Sequence, residues 1–165
     1  MIKKVEKKRK PWNAVDEQVY SISSRSKDGV PNMNIATYIV PVTMTPKRYM
    51  IAVYRNTKTH ENIFKTKKPF LIQALSIAQI GVVKNLGKKS GIKQSKEKYI
   101  NSQSPKLYES LAYLPESAFV LYAEPESYIA LGDHDIVIAS IEKVVANNGT
   151  DFLTTKHLQD KKIIG

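Results

Sequence analysis

Cysteine is absent from this chain of 165 residues, which excludes every structure and chemistry that needs a thiol. A disulfide framework, a thiolate metal site, a cysteine nucleophile and an iron–sulfur cluster are all ruled out. Glycine is scarce, with seven residues in total, and its spacing never matches GxGxxG or GxxxxGK followed by Ser or Thr. The glycine-rich phosphate loops of Rossmann domains and P-loop nucleotidases are therefore excluded as well.

Two other catalytic motifs are missing. GxSxG and HExxH do not occur, and the three histidines (His60, His134 and His157) lie far apart in the sequence. No carboxylate accompanies them at the spacing of a metal-ligand pair. We therefore expect no metal site and no hydrolase built on a nucleophile and its base.

A long hydrophobic run is also lacking. The most apolar stretch, residues 70–83, is interrupted by two glutamines and a serine, and it is shorter than the ~20 residues that cross a bilayer. The basic start of the chain is followed by Pro11, Trp12 and Asn13, where a signal peptide would have an apolar core. The sequence thus predicts a cytoplasmic protein without a membrane segment, in which the glycosylation motif at 148–150 has no role.

Acidic residues are outnumbered by basic ones: the chain has 15 Asp and Glu and 26 Lys and Arg, so the net charge is +11. Residues 1–10 hold six positive charges and one glutamate, or +5, which leaves +6 on the rest. We predict a flexible basic tail over 1–12 and one domain over 13–165. A solvated terminus is the simpler interpretation of the tail, and a nucleic-acid-binding arm is the alternative.

Most of the remaining pattern is typical of strands. Runs rich in alternating or β-branched residues predict strands over 18–24, 34–44, 49–54, 70–75, 118–124, 127–131 and 134–145. Pro41 marks an edge or a bulge, because proline cannot donate to a sheet. Short helices are predicted over 60–65, with Thr59 as N-cap, and from Ser76 to about Leu86; residues 87–106 are predicted as a long exposed loop. The fold class is mainly β, with an antiparallel barrel or sandwich and a few short helices.

Two clusters could carry chemistry. The first places the Arg55 guanidinium and the Thr57 and Thr59 hydroxyls around a predicted helix start, where free amides would bind phosphate. The alternative is that Thr59 only caps the helix and the other threonines only form strands. The second is Gly132-Asp133-His134-Asp135, where two carboxylates would orient the imidazole and favour its charge. The alternative there is an ordinary hairpin turn.

Four passages carry a resemblance to a known family: GVPNMNIATYIVPVTMTP at 29–46, YRNTKTHENI at 54–63, KKSGIKQSKEKY at 88–99 and GDHDIVIASIEKV at 132–144. In this order they resemble the flavin reductase-like family, whose members have an FMN-binding split β-barrel, a Greek-key-like antiparallel fold. The likeness covers residues 18–147. The chain departs from the common family pattern at Glu97-Lys98-Tyr99 and at Thr37-Tyr38.

The resemblance implies a homodimer that binds FMN near the subunit interface. It assigns the edge of the flavin ring to Asn34, Ala36, Thr37 and Tyr38, with Val42 and Thr43 continuing that contact. It assigns the phosphate side to Arg55, Thr57 and Thr59, with Asn62 nearby, and places Ser90 and Gly91 at the flavin or the partner subunit. His134 would face the nicotinamide or substrate side.

The function that the resemblance implies is an NAD(P)H-dependent flavin reductase, an enzyme that passes hydride from nicotinamide to flavin, which then reduces another acceptor. An FMN electron-transfer protein reduced by a partner protein is the alternative. A basic nucleic-acid-binding barrel is a third hypothesis. It is disfavoured because the lysine-rich loop at 84–106 has one aromatic residue, Tyr99, and arginine is scarce beside lysine.

Overall fold

A computed structural model describes residues 15–147 and 151–164 of the chain. The predicted basic tail at 1–12 and the glycosylation motif at 148–150 lie outside these residues. The nine described strands are β1 Tyr20–Arg25, β2 Pro31–Ala36, β3 Ile39–Met44, β4 Lys47–Tyr54, β5 Phe70–Ala74, β6 Lys106–Leu107, β7 Leu111–Ala112, β8 Phe119–Ile129 and β9 His134–Ala146.

Seven of these described strands form one antiparallel sheet in the order β2-β1-β5-β8-β9-β4-β3, and β6 pairs with β7 separately. The two edge strands, β2 and β3, are joined by Thr37-Tyr38 alone. From Ala36 to Ile39 the chain makes three Cα–Cα steps and spans at most ~11 Å, whereas the edges of a flat seven-stranded sheet lie roughly 29 Å apart. The sheet must therefore roll up until its edges meet at this junction, which makes it a split barrel.

The barrel interior is filled by alternate residues of each strand. Tyr20 and Ile22 of β1 and Phe70 and Ile72 of β5 point inward, as the period of two in a strand requires. Full burial of each such side chain contributes about 1.5–3 kcal/mol to folding. The mainly β class and the antiparallel barrel predicted from the sequence are both confirmed.

Four α-helices are described: α1 Lys58–His60, α2 Val82–Gly87, α3 Glu97–Gln103 and α4 Thr155–Asp160. α1 continues as a π-helical turn over Glu61–Lys65. The other three cover the outer face of β1 and β2, where Val19, Met33, Leu86, Ile100 and Leu158 form a second apolar cluster.

Several predicted elements were wrong in detail. Residues 87–106 are not one loop, because Ile100 is fully buried and anchors α3 within them. The helix predicted from Ser76 is a 3-10 turn, Ile77–Gln79, followed by α2. The strands predicted over 118–124 and 127–131 are the single strand β8, whose register shifts between Pro125 and Ser127. The N-cap of the first helix is Thr57, not Thr59.

Candidate functional site

A groove runs along the outer edge of β2, between the end of β4, the start of α1 and residues 86–91. It consists of a cavity of about 380 Å³ and a smaller one of about 150 Å³, which share Asn34, Ile35 and Tyr54. We call the two together the edge groove. The larger cavity is within the size range of small-molecule sites in proteins.

The edge groove brings together nine of the residues proposed from the sequence. His134 and most of the ring-edge residues line the smaller cavity, and the other residues line the larger one. The nine are Asn34, Ala36, Thr37, Tyr38, Thr57, Thr59, Ser90, Gly91 and His134.

Arg55 and Asn62 are engaged elsewhere. The Arg55 guanidinium donates to one oxygen of Asp135, from Nε at 2.9 Å and from a terminal nitrogen at 2.5 Å. Asn62 is buried and donates to the Ser24 hydroxyl at 3.1 Å. Neither residue lines the edge groove of this chain, so their proposed phosphate contacts stay predictions.

Val42 and Thr43 lie on β3, away from the edge groove. Thr43 lines a separate, mostly apolar cavity of about 430 Å³ together with Pro41, Met44 and Ile141. The Val42 side chain is exposed. A single subunit therefore does not bring these two residues to the other proposed flavin contacts, and their role also stays a prediction.

One end of the groove is aromatic. The His134 ring lies between those of Tyr38 and Tyr54, with centroids 5.3 and 5.1 Å away. His134 Nδ1 lies 2.9 Å from an Asp133 carboxylate oxygen, and this hydrogen bond lowers the pKa of Asp133. The imidazole is thus oriented by one carboxylate and flanked by two rings at the mouth of the smaller cavity.

The Asp135 carboxylate, the second one in the motif at 132–135, bonds to other residues than His134. Asp135 accepts hydrogen bonds from Arg55 and from the Leu131 amide, and it pairs with His60 Nε2 at 2.8 Å. The hydrogen bond from Arg55 is the main cause that lowers the Asp135 pKa well below its usual range. Adjacent residues of a strand point to opposite faces, which is why Asp135 turns away from His134.

The other end of the groove is cationic. Four lysines line the larger cavity: Lys58, Lys88, Lys89 and Lys96. No acidic residue is among the described residues that line it. Gly91 closes this end against Asn32, because a Cβ atom on Gly91 would lie 2.4 Å from Asn32 Oδ1. Asn32 in turn donates to the Thr59 hydroxyl at 3.0 Å. The close approach explains why a glycine stands at position 91.

Between the two ends lies an acceptor without a partner. Asn34 Oδ1 is buried and has no hydrogen-bond partner in the described structure, although Asn34 borders both cavities. A buried polar atom left unpaired costs about 1–3 kcal/mol. Since β2 is also an edge strand, half of its backbone groups have no neighbour in the described sheet. These groups suit the polar edge of a planar heterocycle.

Sequence reasoning missed seven polar or aromatic residues of the groove lining, all of which lie inside the passages that carried the resemblance: Asn32, Tyr54, Asn56, Lys58, Lys88, Lys89 and Lys96. The clustering of lysine there was a usable signal. Nothing in the sequence singled out Lys96 from its exposed neighbours.

Fold and groove together define a split β-barrel domain with a ligand-sized groove, cationic at one end and aromatic at the other. The model of the flavin reductase-like domain family matches residues 12–160, and the chain belongs to that family. No curated protein matches the chain.

Solved structures with the same fold include the NADH:FAD oxidoreductase SgcE6 of Streptomyces globisporus C-1027, with a TM-score of 0.76 and 12% identity over 87% of this chain and 83% of that one. The FMN-binding protein of Thermus thermophilus is 18% identical over 90% and 83% of the two chains, with a TM-score of 0.73. The styrene monooxygenase flavin reductase of Pseudomonas putida S12 is 14% identical over 86% of each chain, with a TM-score of 0.69. At these identities the likeness shows the fold.

Two absences concern residues 15–147 and 151–164, which the structure describes. No described helix is long and apolar enough to cross a membrane. The same residues contain no group of three or more His, Asp or Glu side chains that could hold a metal ion.

Proposed function

We propose that this protein is an FMN-binding flavoprotein that reduces flavin with NAD(P)H. The observation that carries the proposal is the difference between the two ends of the edge groove, which has lysines at one end and a histidine between two tyrosines at the other. The two ends of a flavin nucleotide differ in the matching way, because an anionic phosphate is joined through a ribityl chain to a planar ring. Family membership supports the same conclusion.

The residues present fit such a ligand. Lys88 and Lys89 would attract the phosphate, as a cationic cleft does for any polyanion, and Lys58 would join them although its ammonium group also pairs with Glu61 at 3.0 Å. The unpaired Asn34 Oδ1 and those backbone groups of β2 that face no other strand would bind the ring edge. When bound, the flavin supplies the hydride chemistry, so the chain itself needs to bind, orient and exclude water.

His134 is the residue we assign to the nicotinamide side. It borders the smaller cavity next to Tyr38 and is held by Asp133. From there it would position the electron donor or balance its charge, without transferring a proton. This role needs the imidazole at the mouth of the groove and does not need it for flavin binding.

The proposal extends to a cytoplasmic homodimer with FMN near the interface. Its support is the exposed apolar surface along β3, which includes Val40, Val42 and Met44, the last being 87% exposed. Exposed apolar side chains that lie together mark contact surfaces. Sedimentation equilibrium of the wild type and of Met44→Glu tests this part, since a charge at the interface would shift the protein toward the monomer.

The decisive experiment is spectroscopic. The purified protein, incubated with FMN and freed of unbound ligand, should retain the yellow absorbance of oxidised flavin. Anaerobic titration with NADH and then NADPH should bleach this absorbance, and the more effective donor identifies the nucleotide. Retention of FMN without bleaching would instead fit an electron carrier reduced by a protein. A colourless protein that binds an oligonucleotide with a steep salt dependence would overturn the proposal.

A further inference from the structure

Lys96 is a buried lysine that pairs with no carboxylate among the described residues. It is 7% exposed, and its ammonium group donates to two backbone carbonyl oxygens, of Met33 at 2.8 Å and of Leu86 at 2.6 Å. Lysine is among the residue types that are almost never buried without a charged partner. An unpaired buried cation at the wall of a cavity therefore calls for an explanation.

The two carbonyl bonds place the ammonium group at a junction of three elements. Met33 belongs to β2, Leu86 to α2, and Lys96 directly precedes α3. Lys96 also borders the large cavity of the edge groove and a third cavity of about 280 Å³ beside it. An ammonium group has three N–H donors, so two are bonded and one remains for a ligand.

We propose that Lys96 is the buried anion anchor of the edge groove, where its ammonium group binds the phosphate of the nucleotide. The inference rests on the proposed function and adds the residue that recognises the phosphate. Carbonyl oxygens stabilise the ammonium group but leave its charge uncompensated. A phosphate dianion in the adjoining cavity supplies the missing charge and a strong acceptor.

The titration of Lys96 supports this assignment. Burial lowers the pKa of Lys96 to about 8, because removing the ammonium group from water disfavours its charge. A bound phosphate would oppose that effect and raise the pKa again. The other ionisable groups around the two cavities are Lys58, Lys88, Lys89, Tyr54 and Asp28. Lys58 is paired with Glu61 at 3.0 Å, and Lys88 and Lys89 reinforce the preference for an anion.

The wild-type protein alone can test the proposal. Calorimetric titration at pH 9, in buffers of different ionisation enthalpy, should show proton uptake when FMN binds. FMN cannot be the source of this signal, because a phosphate monoester is already a dianion well above its second pKa of about 6. Riboflavin, which lacks the phosphate, is the matched ligand and should bind without proton uptake.

The variant arm uses Lys96→Met, with Lys98→Met as its control because Lys98 is exposed on α3. Lys96→Met should weaken FMN binding about 10- to 100-fold, the value of one charge-assisted hydrogen bond, and should leave riboflavin binding within about twofold. Lys98→Met should change neither. Circular dichroism and thermal melting test whether both variants fold. If Lys96→Met does not fold, the calorimetric titration of the wild type alone tests the proposal.

Two results would overturn the inference alone: FMN binding to wild type without proton uptake at pH 9, or a folded Lys96→Met variant that still prefers FMN to riboflavin as wild type does. Wild type that binds neither flavin would overturn the proposed function together with this inference.

Discussion

Single residues determine how closely the walls of the edge groove approach each other, and Gly91 is the position where the space is smallest among the described glycines. A methyl group at this position would collide with Asn32 Oδ1 and also lie 3.0 Å from Lys58 Cβ. We expect Gly91→Ala to displace Asn32 from Thr59 and to weaken FMN binding about tenfold, or ~1.4 kcal/mol. Fluorescence titration of FMN measures this. Gly132→Ala is the matched control, because a Cβ there has no neighbour within 4 Å; equal effects of the two substitutions would contradict the role of Gly91.

His134 gives a second prediction at the residue scale. Because its ring borders the cavity mouth and not the cationic end, His134→Ala should retain FMN and slow its anaerobic reduction by NAD(P)H. A loss of ~10-fold corresponds to about 1.4 kcal/mol in the barrier. Asp133→Asn keeps a side chain that can hydrogen-bond to the ring and should fall between wild type and His134→Ala. An unchanged rate of flavin bleaching in stopped-flow measurements would remove the role assigned to His134.

Which residues share the groove was only partly predictable. Asn34, Thr37 and Tyr38 follow from the passage that carries the family resemblance, and the structure places them together. Arg55 looked equally suited to phosphate, but its guanidinium is bound by Asp135, eighty residues further along the chain. Sequence patterns give the chemistry of a side chain and not its partner when that partner is distant.

At the scale of elements, the first helix shows how a cap can also shape the site. The Thr57 hydroxyl accepts from the His60 amide at 3.2 Å and donates to the Tyr54 carbonyl at 2.7 Å, so it links the end of β4 to α1. Thr57→Ala should lower the free energy of unfolding by about 1 kcal/mol, the usual value of an N-cap, and should also weaken FMN binding. Thr57→Ser keeps the hydroxyl and should behave as wild type. Urea denaturation followed by circular dichroism measures the difference, and equal stability of all three proteins would contradict it.

Strands were predictable from runs of apolar and β-branched residues, and helices were less so. β1, β4, β5 and β9 match their predicted positions to within about two residues, because such runs, bounded by turn residues, indicate strands. Burial alternates along the first half of β9, whereas β1 and β5 are buried almost throughout. α3 was missed because its apolar contribution to the core is mainly Ile100 with Tyr99 beside it. One buried residue in a polar segment does not show the repeat of apolar residues that distinguishes a helix from a loop.

The whole molecule is built so that its site falls where distant parts of the chain meet. The two-residue junction between β2 and β3 closes the barrel, and the same junction supplies Thr37 and Tyr38 to the smaller cavity. The residues that close the barrel are therefore also residues of the site. The net charge of +6 outside residues 1–10 now has a local counterpart in the four lysines of the larger cavity, which suits nucleotides better than a long polymer.

Asp135 is the residue whose titration should be visible in the stability of the whole molecule, because it ties β9 to Arg55 and to His60. Its pKa is lowered in the folded state, first by the Arg55 hydrogen bond and then by the Leu131 amide. A lowered folded pKa means that this stabilisation is complete above the unfolded value of about 3.9 and is lost as the pH falls through the folded value. We therefore expect a melting temperature that changes little from pH 7 to about 5 and decreases steadily below about 4.

Asp135→Asn should remove much of that dependence, since an amide cannot compensate the charge of the Arg55 guanidinium at any pH. The variant should melt below wild type at pH 7, and the gap should narrow toward pH 2, because below about pH 4 the Asp135 carboxylate takes up a proton when wild type unfolds. Asp133→Asn is the control: Asp133 is exposed and bonded to His134 alone among the described side chains, so its loss should leave the melting curve near that of wild type. Differential scanning calorimetry at several pH values measures both variants. A gap between wild type and Asp135→Asn that stays constant from pH 7 to pH 2 would show that the ion pairs of Asp135 are not what acid removes.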